Sequence, residues 1–288
     1  MSSARIIDVT LAFAPLAVVP MGLRILAARH NVALRALAAV LFASAFVPGS
    51  HGGPALLTLP WIAFAMWLLT AELRTNRLRS IDELGRVAAL ASLVVAGVWG
   101  AISRAGWSPF DIREPITELT SVHFHYAGFA TTVIALHIHR SRVTRASASA
   151  VALMSIAPPI VAAGFTFRWA VAQVSGAVLL LIAVWTVALL NARAVAPRAP
   201  SRVRVGLWIS SAAAVAPMIL AVSWAAGQHW DVPALSVNDM ARTHGILNAY
   251  GFVTLGLAAH VRLAAGLMGG GRLAGSGSAR RADLDSGS

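Results

Sequence analysis

The sequence predicts an all-α integral membrane protein, a bundle of about nine transmembrane helices. Of its 288 residues, 58% are apolar and only 12% are charged, whereas soluble domains contain about 45–50% apolar and about 25% charged residues. The mean hydropathy is +0.73. The chain has no cysteine, which also excludes a disulfide-stabilised secreted scaffold and metal sites built from thiolates.

Stretches apolar and long enough to cross a bilayer occur nine times. The first resembles a signal peptide, but it is longer than the usual apolar core of such a peptide and is interrupted by Pro15 and Pro20, so we expect it to remain as a span. The sixth contains Pro158-Pro159, which should kink it. The predicted spans are 6–27, 32–48, 54–73, 87–103, 116–139, 148–167, 169–191, 204–226 and 239–263.

The arginines predict an orientation. Every basic residue is an arginine, and the connections after the first, third, fifth, seventh and ninth spans are rich in them, whereas loop 227–238 has none. Because arginine-rich loops stay in the cytoplasm, the N-terminus is predicted outside and the C-terminus inside the inner (plasma) membrane. Four tryptophans then fall at the outer boundary, as in an aromatic belt: Trp61, Trp107, Trp169 and Trp230.

The net charge of +12 does not indicate nucleic-acid binding, since the arginines are spread between apolar runs rather than gathered on one face. A cationic inner surface resting on anionic membrane lipids explains this charge. Residues 1–268 are predicted to form the transmembrane bundle. Residues 269–288, rich in Gly, Ser and Ala, are predicted to be a disordered cytoplasmic tail.

The fifth and ninth spans contain similar segments. Residues 120–129 (TSVHFHYAGF) align with residues 243–252 (THGILNAYGF) at an offset of 123 residues. The spans before them each have a tryptophan near the end, Trp99 and Trp224, and a second follows in the outer loop, Trp107 and Trp230. These features predict a weak parallel repeat of four helices, with a shared site at the interface between the halves.

Ionisable residues inside spans are costly, usually face the bundle interior and often carry function. Two groups of them are predicted in the outer half of the bilayer. They are Glu118, His123, His125 and Tyr126 in the fifth span, and Asp239, Arg242, His244, Asn248 and Tyr250 in the ninth.

Helical spacing predicts which of these side chains share a face. His244 and Asn248 are four residues apart, so they lie on one face. Glu118 and His125 are two turns apart on one stripe, whereas His123 projects about 200° away from His125. We therefore expect Glu118, His125, His244 and Asn248 to line one cavity, with His123 turned aside. The alternative is that all these groups form interhelical hydrogen bonds that hold the bundle together.

A metal site is not expected. The pairs His123/His125 and His137/His139 lie on one helix 14 residues apart, or about 21 Å at 1.5 Å per residue, too far for one site. The sequence contains no HExxH or similar ligand spacing. Nucleotide-binding and serine-hydrolase motifs are absent as well, so no cofactor is predicted.

Two segments, residues 119–129 (LTSVHFHYAGF) and 242–252 (RTHGILNAYGF), resemble the paired signature of the YndJ-like family of bacterial multipass membrane proteins. The resemblance covers the C-terminal two thirds best and implies a multipass fold but little chemistry. Integral membrane terpene cyclases, which protonate an alkene or epoxide of a prenylated substrate, are an analogy of size and site type only.

Two functions fit these residues. In the first, the protein is a terpene-cyclase-like enzyme that cyclises or isomerises a lipophilic isoprenoid-type substrate by acid–base chemistry without a cofactor. Glu118 would supply the proton, His125 and His244 would complete the catalytic set, and the substrate would be bound by His123, Tyr126, Asn248, Tyr250, Asp239 and Arg242. In the alternative, the same residues relay protons in a transporter of a small solute built from two repeats. A sensor or partner-binding membrane subunit is a third possibility.

Overall fold

A computed structural model describes residues 2–47 and 55–265, and within these ranges it is helical and contains no strand. Seven of the helices are long and apolar enough to cross a membrane, as expected of a multipass membrane protein. The helices are α1 (Ser3–Ile25), α2 (Val32–Ser44), α3 (Ala55–Thr75), α4 (Ile81–Arg104), α5 (116–141), α6 (Arg145–Thr166), α7 (Ala170–Arg198), α8 (Ser201–Gly227) and α9 (Val237–Ala265).

Helices α2 and α5 are not among the seven. Helix α2 has 13 residues, about 20 Å at 1.5 Å per residue, less than the hydrocarbon thickness of about 30 Å. Helix α5 is long enough but carries several ionisable side chains. Each predicted span has a helical counterpart, yet only seven meet the length and hydropathy limits within the described part of the chain. The predicted tail 269–288 lies outside the described residues.

Side chains cap several of the helices. The Asn31 side chain accepts hydrogen bonds from the first backbone N–H groups of α2, and Ser80 accepts one from Glu83 N–H at the start of α4. Thr144 and Ser147 form a reciprocal capping box before α6. Such caps satisfy the backbone donors that the first helical turn leaves free, so they fix where each helix begins.

Helix α5 lies at the centre of the bundle and contacts α1, α4, α6, α7 and α9. Its residues Phe129, Val133, Ile134 and Leu136 are completely buried in the main core. Because protein surrounds this helix on several sides, its polar residues are shielded from lipid, which explains how a helix of low hydropathy occupies the middle of the bundle.

Helices α6 and α7 pack very closely through two glycines. A Cβ atom added at Gly164 would lie 2.3 Å from the backbone nitrogen of Gln173, and one added at Gly176 would lie 2.8 Å from that of Val161. A larger residue at either position would force the backbones apart, since small residues permit close helix contact in membranes. Pro158 and Pro159 lie inside α6.

Several helices contain π-helical turns, in which i→i+5 hydrogen bonds add a residue to the turn and which often mark functional sites. The two longest, Phe124–Thr131 in α5 and Leu247–Thr254 in α9, have equal length and start 123 residues apart. The ends of α3 and α7, at Thr75 and Arg198, and those of α4 and α8, at Arg104 and Gly227, show the same spacing.

The tryptophans predicted at the outer boundary occupy two kinds of environment. Trp107, Trp169 and Trp230 are exposed, as belt residues must be. Trp61 is completely buried and packs against Phe42, so its assignment to an aromatic belt is wrong. Trp61 lies on the side of α3 that faces the core. Hydropathy alone does not distinguish an indole that faces lipid from a buried one.

Candidate functional site

A cavity of about 260 Å³ lies near the N-terminal ends of α5 and α9 and is lined by residues of α4 to α9. Its walls are mostly apolar and aromatic, and no acidic residue is among the described residues that line it. Enclosed apolar pockets with a few polar groups are the usual form of small-molecule sites. The residues most important here are Thr120, His123, Tyr126, Phe165, Val184, Met218, Trp224, His244 and Asn248.

His123 contributes one polar group to this cavity. Its Nδ1 lies 2.6 Å from the carbonyl oxygen of Leu119. A carbonyl only accepts hydrogen bonds, so Nδ1 carries the proton and Nε2 keeps a lone pair. His123 Nε2 can therefore accept a hydrogen bond or a proton from a molecule in the cavity.

His244 contributes a second imidazole with the same arrangement. Its Nδ1–H donates to the carbonyl oxygen of Pro217, at 2.7 Å, and the Asn248 side-chain amide lies 3.4 Å from Nε2. The rings of His123 and His244 stack with centroids 6.2 Å apart and planes at 29°. Two imidazole rings from different helices thus lie side by side at one wall of the cavity, and the side-chain nitrogen of Asn248 is within hydrogen-bond distance of one of them.

The π-helical turns help to place these groups. His244 lies within the π-helical turn Ala241–Gly245, Asn248 lies within Leu247–Thr254, and His123 directly precedes Phe124–Thr131. A π-helical turn rotates the side chains that follow it relative to a regular α-helix. His123 and His125 nevertheless face opposite sides of α5, and His244 and Asn248 share a face of α9, as the spacing of 100° per residue predicts. The spacing rule does not say which of these faces borders the cavity.

Glu118 lies in a separate ionic cluster. Its Oε2 accepts a hydrogen bond from the guanidinium of Arg104 at 3.1 Å, and Arg104 also lies 3.9 Å from a carboxylate oxygen of Asp8. The guanidinium stacks over the ring of Phe46, 4.5 Å from its centroid. The other oxygen of Glu118 is buried without a hydrogen-bond partner among the described residues. The expectation that Glu118 lines the same cavity as His244 is therefore wrong.

His125 is completely buried outside the cavity lining. Its Nδ1–H donates to the carbonyl of Ser121 at 2.9 Å, and its Nε2 accepts the indole N–H of Trp61 at 3.2 Å. Both ring nitrogens are used by the protein. The predicted orientation is thus reversed, since His123 faces the cavity and His125 faces the core. The alternative of an interhelical hydrogen bond describes His125 correctly.

The two tyrosines connect the site to α1. The Tyr126 hydroxyl donates to the carbonyl oxygen of Thr10 at 2.9 Å, and the Tyr250 hydroxyl lies 3.2 Å from the Thr10 hydroxyl. Tyr126 also lines the cavity, while Tyr250 packs against Phe13. These bonds hold α5 and α9 against α1.

Asp239 and Arg242 are both exposed, near the start of α9. The carboxylate of Asp239 accepts a hydrogen bond from the Ser236 hydroxyl at 2.7 Å, within the helix cap. Neither residue lines the cavity. The structure thus gives Asp239 a capping position and does not place either side chain beside His244.

A loop ion pair joins the connections on either side of the cavity. Asp111, between α4 and α5, contacts the guanidinium of Arg113 at 2.9 Å and that of Arg168, between α6 and α7, at 2.7 Å. Hydrogen bonding to Arg113, and then to Arg168, holds the pKa of Asp111 below its ordinary value. This pair lies in exposed loops, so salt and solvent weaken it.

A second polar contact between α5 and α9 lies toward their other ends. The rings of His137 and His260 are 4.9 Å apart, and His260 Nε2–H donates to the side-chain oxygen of Asn191 at 2.9 Å. His139 is hydrogen-bonded to Ser147 instead. Within the described ranges, no three His, Cys, Asp or Glu residues are grouped as a metal site would require.

The sequence interpretation missed most of the cavity wall. Val184, Phe165 and Met218 line it, but apolar residues in apolar helices carry no individual signal. The carbonyl of Pro217, which fixes the His244 ring, is equally invisible in a sequence. The only available signal was the 123-residue offset, which relates Val184 and Phe165 to Trp61 and Phe42.

No curated protein and no solved structure matches the chain. The model of the YndJ-like protein family matches residues 9–252, which include most of α1, all of α2 to α8, both cavity histidines, the π-helical segment Phe124–Thr131 and most of Leu247–Thr254. The chain is a member of the YndJ-like protein family.

Proposed function

We propose that the protein is an integral membrane enzyme that isomerises or cyclises a lipophilic isoprenoid-type substrate by acid–base chemistry. The observation that carries this proposal is the apolar cavity in which His123 and His244 stack. Apolar walls favour a lipophilic molecule. Two imidazoles are the side chains best suited to transfer protons near neutral pH.

The geometry supports proton transfer between two positions of the substrate. One imidazole, neutral at Nε2, would remove a proton from carbon next to a carbonyl or double bond, and the electron pair would shift along the conjugated system. The second imidazole, protonated beforehand, would return a proton to another carbon. The carbonyls of Leu119 and Pro217 keep the tautomers that this exchange needs, and the Asn248 amide would hold a polar group of the substrate. After one turnover the first imidazole is protonated and the second is neutral, so the cycle closes when a proton passes from the first ring to the second, or when the two rings exchange roles in the next turnover; no cofactor is required.

The proton donor in this proposal is an imidazolium and not Glu118, which the sequence favoured. Glu118 is paired with Arg104 and does not line the cavity, so the geometry favours an imidazolium as the proton donor. An imidazolium is a weaker acid than a carboxylic acid. The site therefore suits isomerisation, or opening of a strained epoxide, better than protonation of an isolated alkene.

The test begins with the lipids that copurify with the protein, identified by mass spectrometry. Membranes containing the protein are then supplied with prenylated ketones and epoxides and examined for isomeric products. An isoprenoid ligand and products of unchanged mass are expected. If no isoprenoid is bound or converted, the proposed enzyme activity is wrong.

Proton-coupled transport of a small solute is a second candidate, favoured by the equal spacings of 123 residues. The ends of α3 and α7, the ends of α4 and α8, and the two long π-helical segments all show this offset. They support a parallel repeat in which α2–α5 correspond to α6–α9. Transporters commonly place their site between such halves. Uptake driven by a pH gradient into liposomes containing the protein would favour this candidate.

We also propose nine membrane crossings, including α2 and α5, with the N-terminus outside and the C-terminus in the cytoplasm of a bacterial inner membrane. The arginine-rich connections support this topology. A reporter active only in the cytoplasm should work when fused after Arg145 or Arg204 and stay silent when fused at Pro233. Activity at Pro233 would contradict the orientation.

A further inference from the structure

The 123-residue offset gives each cavity-lining residue of α6 to α9 a counterpart in the N-terminal half. Val184 corresponds to Trp61, Phe165 to Phe42, and Asn248 to His125. In the C-terminal half these three positions line the cavity. Comparing Val184, Phe165 and Asn248 with their N-terminal counterparts therefore shows what fills, in the N-terminal half, the space that is a cavity in the C-terminal half.

In the N-terminal half that space is filled by an indole. The ring of Trp61 lies 5.9 Å from those of Phe42 and His125, and its N–H donates to His125 Nε2 at 3.2 Å. All three side chains are completely buried. The protein thus supplies its own planar ring with one hydrogen-bond donor, held between an aromatic wall and a polar acceptor.

In the C-terminal half the indole is missing, but an aromatic residue and a polar acceptor occupy the corresponding positions beside it. Val184 stands in place of Trp61, and Phe165 still provides an aromatic wall, stacked on Trp224 with centroids 5.9 Å apart. Asn248 replaces His125, and its side-chain oxygen is again an acceptor. The exchange of a large ring for a valine leaves room for a ligand.

We propose that the cavity binds a planar ring bearing a hydrogen-bond donor, in the position that the Trp61 indole occupies in the other half, and that Val184 determines this specificity. The inference rests on the proposed function and repeat, and it narrows the substrate class to a ring with an apolar tail. Asn248 accepts the donor of the ring, and His123 and His244 lie beside it at the cavity wall.

Indole, naphthalene and 1-octanol are suitable probes, since they are a ring with a donor, a ring without one and a flexible chain with one. Each is added to the full chain in lipid nanodiscs, and the shift of the Tm gives the affinity. Indole should raise the Tm most. Val184→Trp should weaken indole binding at least about tenfold, the scale on which small changes in an apolar pocket act. Val178→Trp, at an exposed site of the same helix, should leave it unchanged.

Two further variants keep the test decisive. Val184→Phe fills less of the cavity than Val184→Trp and should weaken indole binding by a smaller factor. This variant provides the test if Val184→Trp does not fold. Asn248→Leu should remove the preference for indole over naphthalene. Equal binding of octanol and indole, or undiminished binding to the well-folded Val184 variants, would overturn the inference.

The result also separates this inference from the proposed activity. If Val184→Trp converts an isoprenoid at the wild-type rate, the ring site is wrong and the enzyme proposal stands. If indole binds as expected but no isoprenoid is converted, the ring site stands and the enzyme proposal is wrong. If no probe binds to the wild type, the ring site is wrong whatever the activity.

Discussion

His123 and His244 stack on each other with ring centroids 6.2 Å apart, although they belong to different helices and lie far apart in the sequence. Each ring is fixed by a hydrogen bond from Nδ1–H to a backbone carbonyl. The pair is thus oriented before any ligand arrives, which is the arrangement that efficient proton transfer requires.

Substitution of His123 or His244 should strongly reduce turnover. His244→Ala or His123→Ala is expected to lower kcat by about 10²–10⁴, the usual effect of losing a general acid or base. His30→Ala is a matched control, since its Nδ1 also bonds to a backbone carbonyl, that of Ala28 at 2.8 Å, outside the cavity. A normal rate for His244→Ala would exclude it from the chemistry.

Chemical crosslinking tests the meeting of α5 and α9. The cysteine-free chain carrying His123→Cys and His244→Cys should crosslink rapidly with a short bifunctional reagent. The pair His125→Cys and Asn248→Cys should react slowly, because position 125 is completely buried against α3. Faster reaction of the second pair would contradict the orientation of α5.

The ionic cluster predicts an asymmetry in stability. Arg104→Gln leaves Asp8 and Glu118 without their cation and should lower the free energy of unfolding by about 3–5 kcal/mol, as expected when a buried pair loses one partner. Glu118→Gln should cost less, because Asp8 still compensates Arg104. Chemical denaturation in mild detergent gives both values. A larger loss for Glu118→Gln would indicate a further role for this carboxyl.

The buried indole predicts a second stability effect. Trp61→Phe keeps an aromatic ring but leaves His125 Nε2 without its donor. An unsatisfied buried acceptor costs about 1–3 kcal/mol, so the Tm should fall while probe binding to the cavity on the other side of α5 is unchanged. Loss of probe binding would show that the two regions are coupled.

The pH dependence of the loop ion pair follows from the pKa of Asp111. Arg113 and Arg168 lower this pKa in the folded protein, so their stabilisation is present above the pKa of an unfolded aspartate, about 3.9, and is lost as the pH falls through the folded value. NMR titration of labelled aspartate should give a midpoint below that of the free residue. Arg113→Gln should raise the midpoint more than Arg168→Gln, and the reverse order would contradict the assignment.

The sequence predicted where the helices begin and end better than which of their side chains face the cavity. The predicted span 204–226 differs little from Ser201–Gly227, because an apolar run bounded by polar loops defines a helix in a membrane. The exchange of His123 and His125 had one cause. The predicted angle of about 200° between the two side chains agrees with their opposite positions, but a helix enclosed on several sides has no single inner face, so the spacing could not tell which of the two borders the cavity.

The partners of the polar groups could not be predicted. The predicted span 87–103 stops before Arg104, yet this residue ends α4 and pairs with Glu118 and Asp8 from two other helices. His125 likewise finds its donor in Trp61. Both pairings depend on which helices are neighbours, and hydropathy along one sequence does not contain that information.

The close packing of α6 and α7 has a mechanical consequence. Their backbones touch at Gly164 and Gly176, so the two helices cannot slide or part without losing that contact, and they behave as one rigid body. This hairpin supplies Val161, Phe165 and Val184 to the cavity. Widening of the cavity on this side therefore moves the hairpin as a unit against α5 and α9, with the connections before Arg145 and after Arg198 as hinges.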